Sequence, residues 1–272
     1  MTYYLCPVCG EKLTEHEKGA SCPNRHSFDK AKSGYINLLP NNLPAGNHGD
    51  NKLMIKARHD FLEKGYYLPL REKLCMVIKD ITEKTPVIID AGCGEGWYTK
   101  GIADFLGEAE ILAVDISKDA MKIAAKRDKK IKSAAASVFH LPIEDECADL
   151  LLSVFSPLCE SEFDRVLKKG GYFVYVIPAE NHLWELKKAI YDNPYKNEVK
   201  PYEMENFTFV EKVCVDGVMK MKKEEDVKNL FMMTPYYYKT SEKDTEKLFA
   251  SPPMEISYSF EILVFKKEKD KL

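Results

Sequence analysis

Val87-Ile88-Ile89-Asp90-Ala91-Gly92-Cys93-Gly94-Glu95-Gly96 is the stretch that decides the fold of this chain. A short β-branched run enters a turn with glycine at every second position, and a helix-compatible stretch from Trp97 to Leu106 follows at once. Glycines there let the backbone turn sharply and let a ligand lie against the main chain, with N–H groups of the helix start facing it. The spacing is G-x-G-x-G and lacks the third glycine position of the dinucleotide fingerprint. Asp90 precedes the first glycine, where a carboxylate repels a pyrophosphate and welcomes a cationic amino acid group. One run further on, Ile111-Leu112-Ala113-Val114 ends at Asp115, a carboxylate placed to accept hydrogen bonds from ribose hydroxyls. The two carboxylates suit an adenosyl ligand with an aminoacyl tail. Ala136 and Ser137, after the third strand position, fall where such folds place the adenine.

Working outward, Ala148 to Val154 and Tyr172 to Ile177 are further apolar runs separated by helical stretches, the pattern of a parallel sheet covered on both faces. Between them, Phe163 to Gly171 reads as a helix and a glycine turn ahead of the fifth strand. Upstream, apolar positions from Asn51 to about Lys84 recur at helical spacing and predict two helices, broken near Gly65 and Pro69. The last ninety or so residues are lysine-rich, with strands expected at Phe207 to Val210 and Glu255 to Phe265 that complete the sheet edge and build a lid or substrate platform. The expected organisation is a small N-terminal unit over 1–40, a linker and leading helices over 41–84, and an α/β domain over 85–272. That domain divides into a core over 85–180 and a C-terminal part over 181–272. Residues Asn41 to Asp50 are a loop by their Asn, Gly and Pro density.

With 272 residues and 45% apolar content, the chain can bury a full core. Its net charge of -3 does not advertise a nucleic-acid binder as a whole, although the first 80 residues carry 12 Lys and Arg against 9 Asp and Glu. No apolar run is long enough to span a bilayer and the first residues lack the layout of a signal peptide, so a cytoplasmic protein without membrane association is expected. In that compartment eight cysteines are read for metal or catalysis rather than disulfides. Cys6-Pro7-Val8-Cys9 places two thiolates on one knuckle, and Cys22-Pro23-Asn24-Arg25-His26 supplies a second pair. Four such ligands, Cys6, Cys9, Cys22 and His26, fit one tetrahedral Zn²⁺ with no position left for a catalytic water, which makes the site structural. His16, between the pairs, is a rival fourth ligand at a less usual spacing. Cys93 is read as a small loop residue because no paired His is evident.

Past the second knuckle, Phe28-Asp29-Lys30-Ala31-Lys32-Ser33-Gly34-Tyr35-Ile36-Asn37-Leu38-Leu39-Pro40 leads toward the α/β core. With the zinc ligands, Phe61 to Leu70, Asp90 to Gly96, His182 to Lys187 and Met233-Thr234-Pro235, this pattern resembles the 23S ribosomal RNA guanine-N1 methyltransferases of the large-subunit methyltransferase A family, over nearly the whole chain. The resemblance implies a class I methyltransferase fold, a Rossmann-like, mostly parallel sheet with an antiparallel edge strand, joined to a small N-terminal zinc-binding domain. It implies S-adenosylmethionine as cofactor, contacted by Tyr67, Gly94, Glu95 and His182. The loop reading adds Asp90, Gly92, Gly96, Asp115, Ala136 and Ser137. The implied substrate is N1 of a guanine in the loop of hairpin 35 of bacterial 23S ribosomal RNA. Members differ in which of two neighbouring guanines they modify, and some confer resistance to tylosin-like macrolides.

Methyl transfer to guanine N1 requires removal of a proton, for which a carboxylate or His within hydrogen-bond reach is the expected device. Glu160, Glu162 and His182, near the ends of the fourth and fifth strands, are candidates on topology. Phe155 at the pocket rim and Tyr236-Tyr237-Tyr238 are aromatic surfaces able to meet an unstacked base, although three adjacent tyrosines on a strand would alternate faces. A homodimer is compatible with the sequence. Two other readings stand beside this one: a zinc-containing methyltransferase of a protein or small molecule, and a non-catalytic RNA-binding or assembly factor. An intact glycine loop together with Asp115 argues against the last.

Overall fold

The computed structural model describes residues 3–40, 51–199 and 202–268; the loop expected over 41–50 lies outside them. The N-terminal unit is a three-stranded antiparallel sheet, β1 (Thr14–His16), β2 (Gly19–Ser21) and β3 (Ser27–Asp29), followed by the two-residue strand β4 (Ile36–Asn37). Helices α1 (Lys52–Leu62) and α2 (Leu68–Ile81) come next. The Asn51 side chain caps α1 by accepting from the Met54 N–H at 2.9 Å. Pro69, which the sequence reading puts at a break, lies in the first turn of α2, where its missing N–H costs nothing.

The core then alternates as expected: β5 (Val87–Ala91), α3 (Trp97–Leu106), β6 (Glu110–Asp115), α4 (Lys118–Arg127), β7 (Lys132–Ala135), β8 (Ala148–Val154), α5 (Glu160–Val166) and β9 (Leu167–Pro178). β9 begins directly after α5, so Gly170 and Gly171 are inside the strand rather than in a turn before it. There they absorb a register irregularity against β8. The C-terminal part adds α6 (Trp184–Ile190), β10 (Phe207–Lys220), α7 (Glu224–Met232), a 3-10 helix (Pro235–Tyr238), α8 (Glu242–Ala250) and β11 (Glu255–Lys267). β10 extends ten residues beyond the run expected from sequence, while β11 matches its expected run to within two residues.

Eight strands form one sheet in the order β10-β11-β9-β8-β5-β6-β7-β4. The strands from β4 to β9 pair in parallel. β11 runs antiparallel to both neighbours, one place in from the edge that β10 forms. The chain order reverses between β5 and β8, which opens a crevice at the carboxyl ends of the strands, the usual ligand site of an open α/β sheet.

The N-terminal unit is fused to this sheet. β4 extends it beside β7, and Tyr4, Leu13 and Leu38 are buried in the same apolar cluster as Ile89, Leu112 and Leu151 of the central strands. The Tyr4 hydroxyl donates to the Lys132 carbonyl at 2.9 Å, and the Leu5 N–H donates to the Pro142 carbonyl at 2.9 Å. On the far side of the sheet, Lys187 is wholly buried, with no carboxylate partner among the described residues. Its ammonium donates to the Tyr195 carbonyl at 3.0 Å and the Asn197 side chain at 2.7 Å, which pins the segment after α6. Burial lowers its pKa.

Because the N-terminal unit shares the core of the sheet, Leu38→Ala is expected to lower the stability of the whole chain by about 2–5 kcal/mol in urea unfolding, the usual range for emptying a buried leucine site. A change below 1 kcal/mol would show a loosely attached unit.

Candidate zinc centre and cofactor cavity

Two tight knuckles carry the metal ligands. In the first, the Gly10 N–H donates to the Cys6 carbonyl at 2.9 Å, with Gly10 at φ +77°, so the chain doubles back behind Cys9. In the second, the Arg25 N–H donates to the Cys22 carbonyl and the Cys22 N–H to the His26 carbonyl, each at 3.0 Å. The donor atoms of Cys6, Cys9, Cys22 and His26 all lie within 4.8 Å of one another. Cys9 Sγ to Cys22 Sγ is 3.7 Å, and His26 Nδ1 is 3.5 Å from Cys6 Sγ and 3.4 Å from Cys22 Sγ. A tetrahedral zinc with Zn–S bonds of about 2.3 Å requires S···S separations of ~3.8 Å, so the donor set fits that ion. His16 is exposed on β1 and belongs to no such group.

The crevice at the β5/β8 reversal is a cavity of about 490 Å³, within the size range of small-molecule sites. Four strand ends supply its walls: the glycine loop after β5, Asp115 to Ser117 after β6, Ser137 to Phe139 after β7, and Phe155 to Pro157 after β8. The loop is held by its neighbour strand. The Gly92 and Cys93 N–H groups donate to the Val114 carbonyl at 2.8 and 3.0 Å. The Gly94 and Ser117 N–H groups donate to the two oxygens of Asp115 at 2.9 and 2.8 Å. Gly92, Gly94 and Gly96 all have positive φ. A Cβ on Gly92 would fall 2.3 Å from the Ser156 side chain, so only glycine lets the loops after β5 and β8 meet; beside Gly94 the space is open.

Asp90 is 2% exposed and lines the cavity. One oxygen accepts from the Thr99 hydroxyl at 2.6 Å, while the other has no hydrogen-bond partner. Burial pushes its pKa up to about 7, the neighbouring Asp115 adding to the rise and Thr99 opposing it. An orphaned buried carboxylate beside a second carboxylate is a cradle for a cation. The zwitterionic, sulfonium-bearing tail of S-adenosylmethionine fits it, and Asp115 stands where a ribose diol would meet it. Burial raises the Cys93 thiol, which suits a packed loop residue rather than a nucleophile.

Comparison with known proteins agrees with both halves. A model of the N-terminal zinc ribbon of RlmA matches residues 4–43, and a methyltransferase-domain model matches residues 82–244. The 23S rRNA (guanine(748)-N(1))-methyltransferase of Streptomyces fradiae is 35% identical over 193 residues, 69% of this chain and 68% of its own. A Bacillus subtilis protein provisionally named 23S rRNA (guanine-N(1)-)-methyltransferase is 31% identical over 214 residues, 75% of each chain. This chain belongs to the 23S rRNA guanine-N1 methyltransferase family.

Within this methyltransferase, the structure brings Tyr67, Asp90, Gly92, Gly94, Glu95, Asp115 and Ser137 together around the cavity. Gly96, Ala136 and His182 stand behind that lining. Gly96 starts α3, and a Cβ there would approach Ala124 of α4 to 3.1 Å, a helix-packing role. His182 is buried against the rings of Tyr67 and Phe260, with Nδ1 accepting from the Ser259 N–H at 3.3 Å. Burial and then the charge of Lys187 bring its pKa down to about 3, so it is neutral at physiological pH. Glu162 is committed elsewhere, in a two-pronged pair with Arg165 and accepting from the Leu141 N–H at 2.6 Å. Although burial opposes it, that partnership holds its pKa down. Glu160, raised by burial, faces Glu205 and Asp164. None of the three lines the cavity.

Glu95 is more than a loop residue. It is 3% exposed, and one carboxylate oxygen meets His59 Nδ1 at 2.8 Å while the other pairs with Arg127. Arg127 also donates to the Glu95 carbonyl at 2.8 Å and pairs with Glu63 at 2.8 Å, so α1, α4 and the loop are locked together. His59, Glu63 and Glu95 would resemble a metal group, but Arg127 already supplies their positive charge. Sequence reading missed Arg58, Leu62, Tyr98 and Met233 in the lining. Leu62 and Met233 lie within stretches that carry the family resemblance but have apolar side chains that mark no chemistry, and Arg58 and Tyr98 belong to no motif. The three tyrosines lie in the 3-10 helix rather than a strand, with Tyr238 the most exposed.

Ionisation of Asp90 favours a cationic ligand, so cofactor binding releases a proton and tightens as pH rises through about 7. Calorimetry is expected to show S-adenosylmethionine binding strengthening about tenfold from pH 6 to pH 7.5. The slope should vanish in Asp90→Asn, and an equal slope in that variant would remove Asp90 from the role.

Proposed function

We propose that this chain transfers the methyl group of S-adenosylmethionine to N1 of a guanine in the loop of hairpin 35 of 23S ribosomal RNA, with an effect on tylosin sensitivity. The observation that carries the reading is the likeness, across most of both chains, to a relative whose own name specifies N1 of a 23S ribosomal RNA guanine. The cofactor brings an activated methyl group and its own leaving group. The chain's residues then have to hold a base in line with it and keep water out, a positioning task worth much of the barrier.

Phe155 supports this assignment. It follows β8 at the cavity rim, 44% exposed, in the left-handed region at φ +56°. That conformation is costly for a side-chain-bearing residue and persists where its surroundings impose it. Here the Phe155 N–H donates to the Val176 carbonyl at 3.1 Å, and the next residue, Ser156, donates to the Ala91 carbonyl at 2.6 Å. The ring is thereby presented to solvent beside the cavity, where an unstacked guanine from an RNA loop can lie on it. Proton removal from N1 is assigned to none of Glu160, Glu162 and His182, since all three stand outside the cavity lining. The zinc ribbon scaffolds the N-terminal end of the sheet, and its Arg25, Lys30 and Lys32 are available for phosphate contact.

The test is transfer of labelled methyl to 23S ribosomal RNA fragments, followed by primer extension, which a methyl group on guanine N1 blocks. A stop within hairpin 35 is expected, and Phe155→Ala should lower kcat/KM for RNA by about 10- to 100-fold through lost stacking. Its affinity for S-adenosylhomocysteine should fall by less than that, since the ring touches the cofactor cavity only through packing beside Tyr98. Label entering RNA only outside hairpin 35, or not at all while the cofactor binds, would overturn the proposal.

A further inference from the structure

We propose that Arg58 and Tyr98 form the recognition pair for the carboxylate of the cofactor's aminoacyl tail, which makes α1 the wall that closes on that tail; this rests on reading the cavity as the S-adenosylmethionine site. Arg58 is the one Lys or Arg among the described residues that line the cavity. It is half-buried on the second turn of α1, and its guanidinium is aimed by a 3.3 Å hydrogen bond to the Met233 carbonyl. The planar fork of an arginine matches the two oxygens of a carboxylate.

Tyr98 comes from the first turn of α3. Its ring is 9% exposed and held edge-on between Trp97 and Phe155, with centroids 5.0 and 6.4 Å away. Its hydroxyl is buried and has no hydrogen-bond partner. A hydroxyl taken out of water without a partner costs free energy that a ligand oxygen would recover. Burial raises the phenol further above its ordinary value, so it remains a neutral donor at physiological pH.

The cavity therefore carries both signs. Asp90 and Asp115 offer acceptors, one with an unpaired oxygen, while Arg58 and Tyr98 offer donors. A tail with an ammonium and a carboxylate on one carbon uses both sets within a few ångströms. A phosphate in the same cavity would meet the repulsion of two carboxylates, so the tail is favoured over an RNA phosphate. The position of α1 is fixed independently, through the His59–Glu95 and Glu63–Arg127 contacts, which bring α1 to the glycine loop that follows Asp90 and is anchored on Asp115.

Two ligands separate this role from general packing. S-adenosylhomocysteine carries the aminoacyl tail, and 5′-methylthioadenosine keeps the adenosine and sulfur but lacks it. In calorimetry on the full chain, Arg58→Met is expected to weaken S-adenosylhomocysteine binding about 10- to 100-fold and Tyr98→Phe about 5- to 10-fold, the usual worth of donors to a charged acceptor. Binding of 5′-methylthioadenosine should stay within about twofold in both variants. Arg58→Lys keeps the charge without the fork and should fall between parent and Arg58→Met. Equal loss of both ligands would make the pair structural and overturn the inference. Unchanged S-adenosylhomocysteine binding with a raised KM for RNA would assign the pair to the acceptor and overturn it too. Failure of the parent chain to bind S-adenosylhomocysteine would instead sink the reading of the cavity itself.

Discussion

The Asp115 carboxylate holds the site together. At the end of β6 it accepts the N–H groups of Gly94 and Ser117, one on each oxygen, while the Val114 carbonyl beside it takes those of Gly92 and Cys93. Three backbone donors of the glycine turn, and a fourth at the start of α4, are satisfied by one strand end. Without that anchor the glycine loop would have unpaired polar groups inside the fold, which proteins rarely tolerate. With it, the loop lies flat enough that Gly94 faces open space, and α3 starts in line to bring Tyr98 over the cavity. Burial is the main cause that raises the pKa of Asp90, and the same fixed carboxylate adds to that rise.

A second constraint joins the two ends of the sheet. The zinc ribbon would be too small to fold on a core of its own, and four ligands gather its two knuckles around one point. Its inner face then shares a buried cluster with the central strands, and β4 extends the sheet beside β7. The ribbon and the sheet in this way share one buried core. The route from the ribbon to the cavity runs through α1, whose His59 and Glu63 join Glu95 and Arg127 at the glycine loop.

How much was legible in the sequence depends on how local each signal is. The zinc ligands and the loop from Asp90 to Gly96 are contiguous patterns whose chemistry follows from spacing, and the helix from Trp97 to Leu106 has the bounds its periodicity implies. The two leading helices were legible from their apolar periodicity, with the break falling at Gly65 and Pro69 opening the second helix. Gly170 and Gly171 read as a turn, but β8 on one side captures them into a strand. Arg58, Leu62, Tyr98 and Met233 were invisible as a set, because only packing of α1 and α7 over the sheet assembles them. Glu160, Glu162 and His182 were candidate proton acceptors on topology alone, yet side-chain direction is a tertiary property. Glu162 turns to Arg165, and His182 turns to the ring of Phe260.

The central claim, that this chain modifies N1 of a 23S ribosomal RNA guanine from a cavity organised by Asp115, is tested most directly in cells. Mass spectrometry of RNase fragments of 23S ribosomal RNA from a host lacking the gene, complemented with the parent chain or with Asp115→Ala, assigns 1-methylguanosine to a single fragment. The account predicts that the parent restores one 1-methylguanosine and that Asp115→Ala does not. Restoration by both, or a methylated product other than 1-methylguanosine, would contradict it.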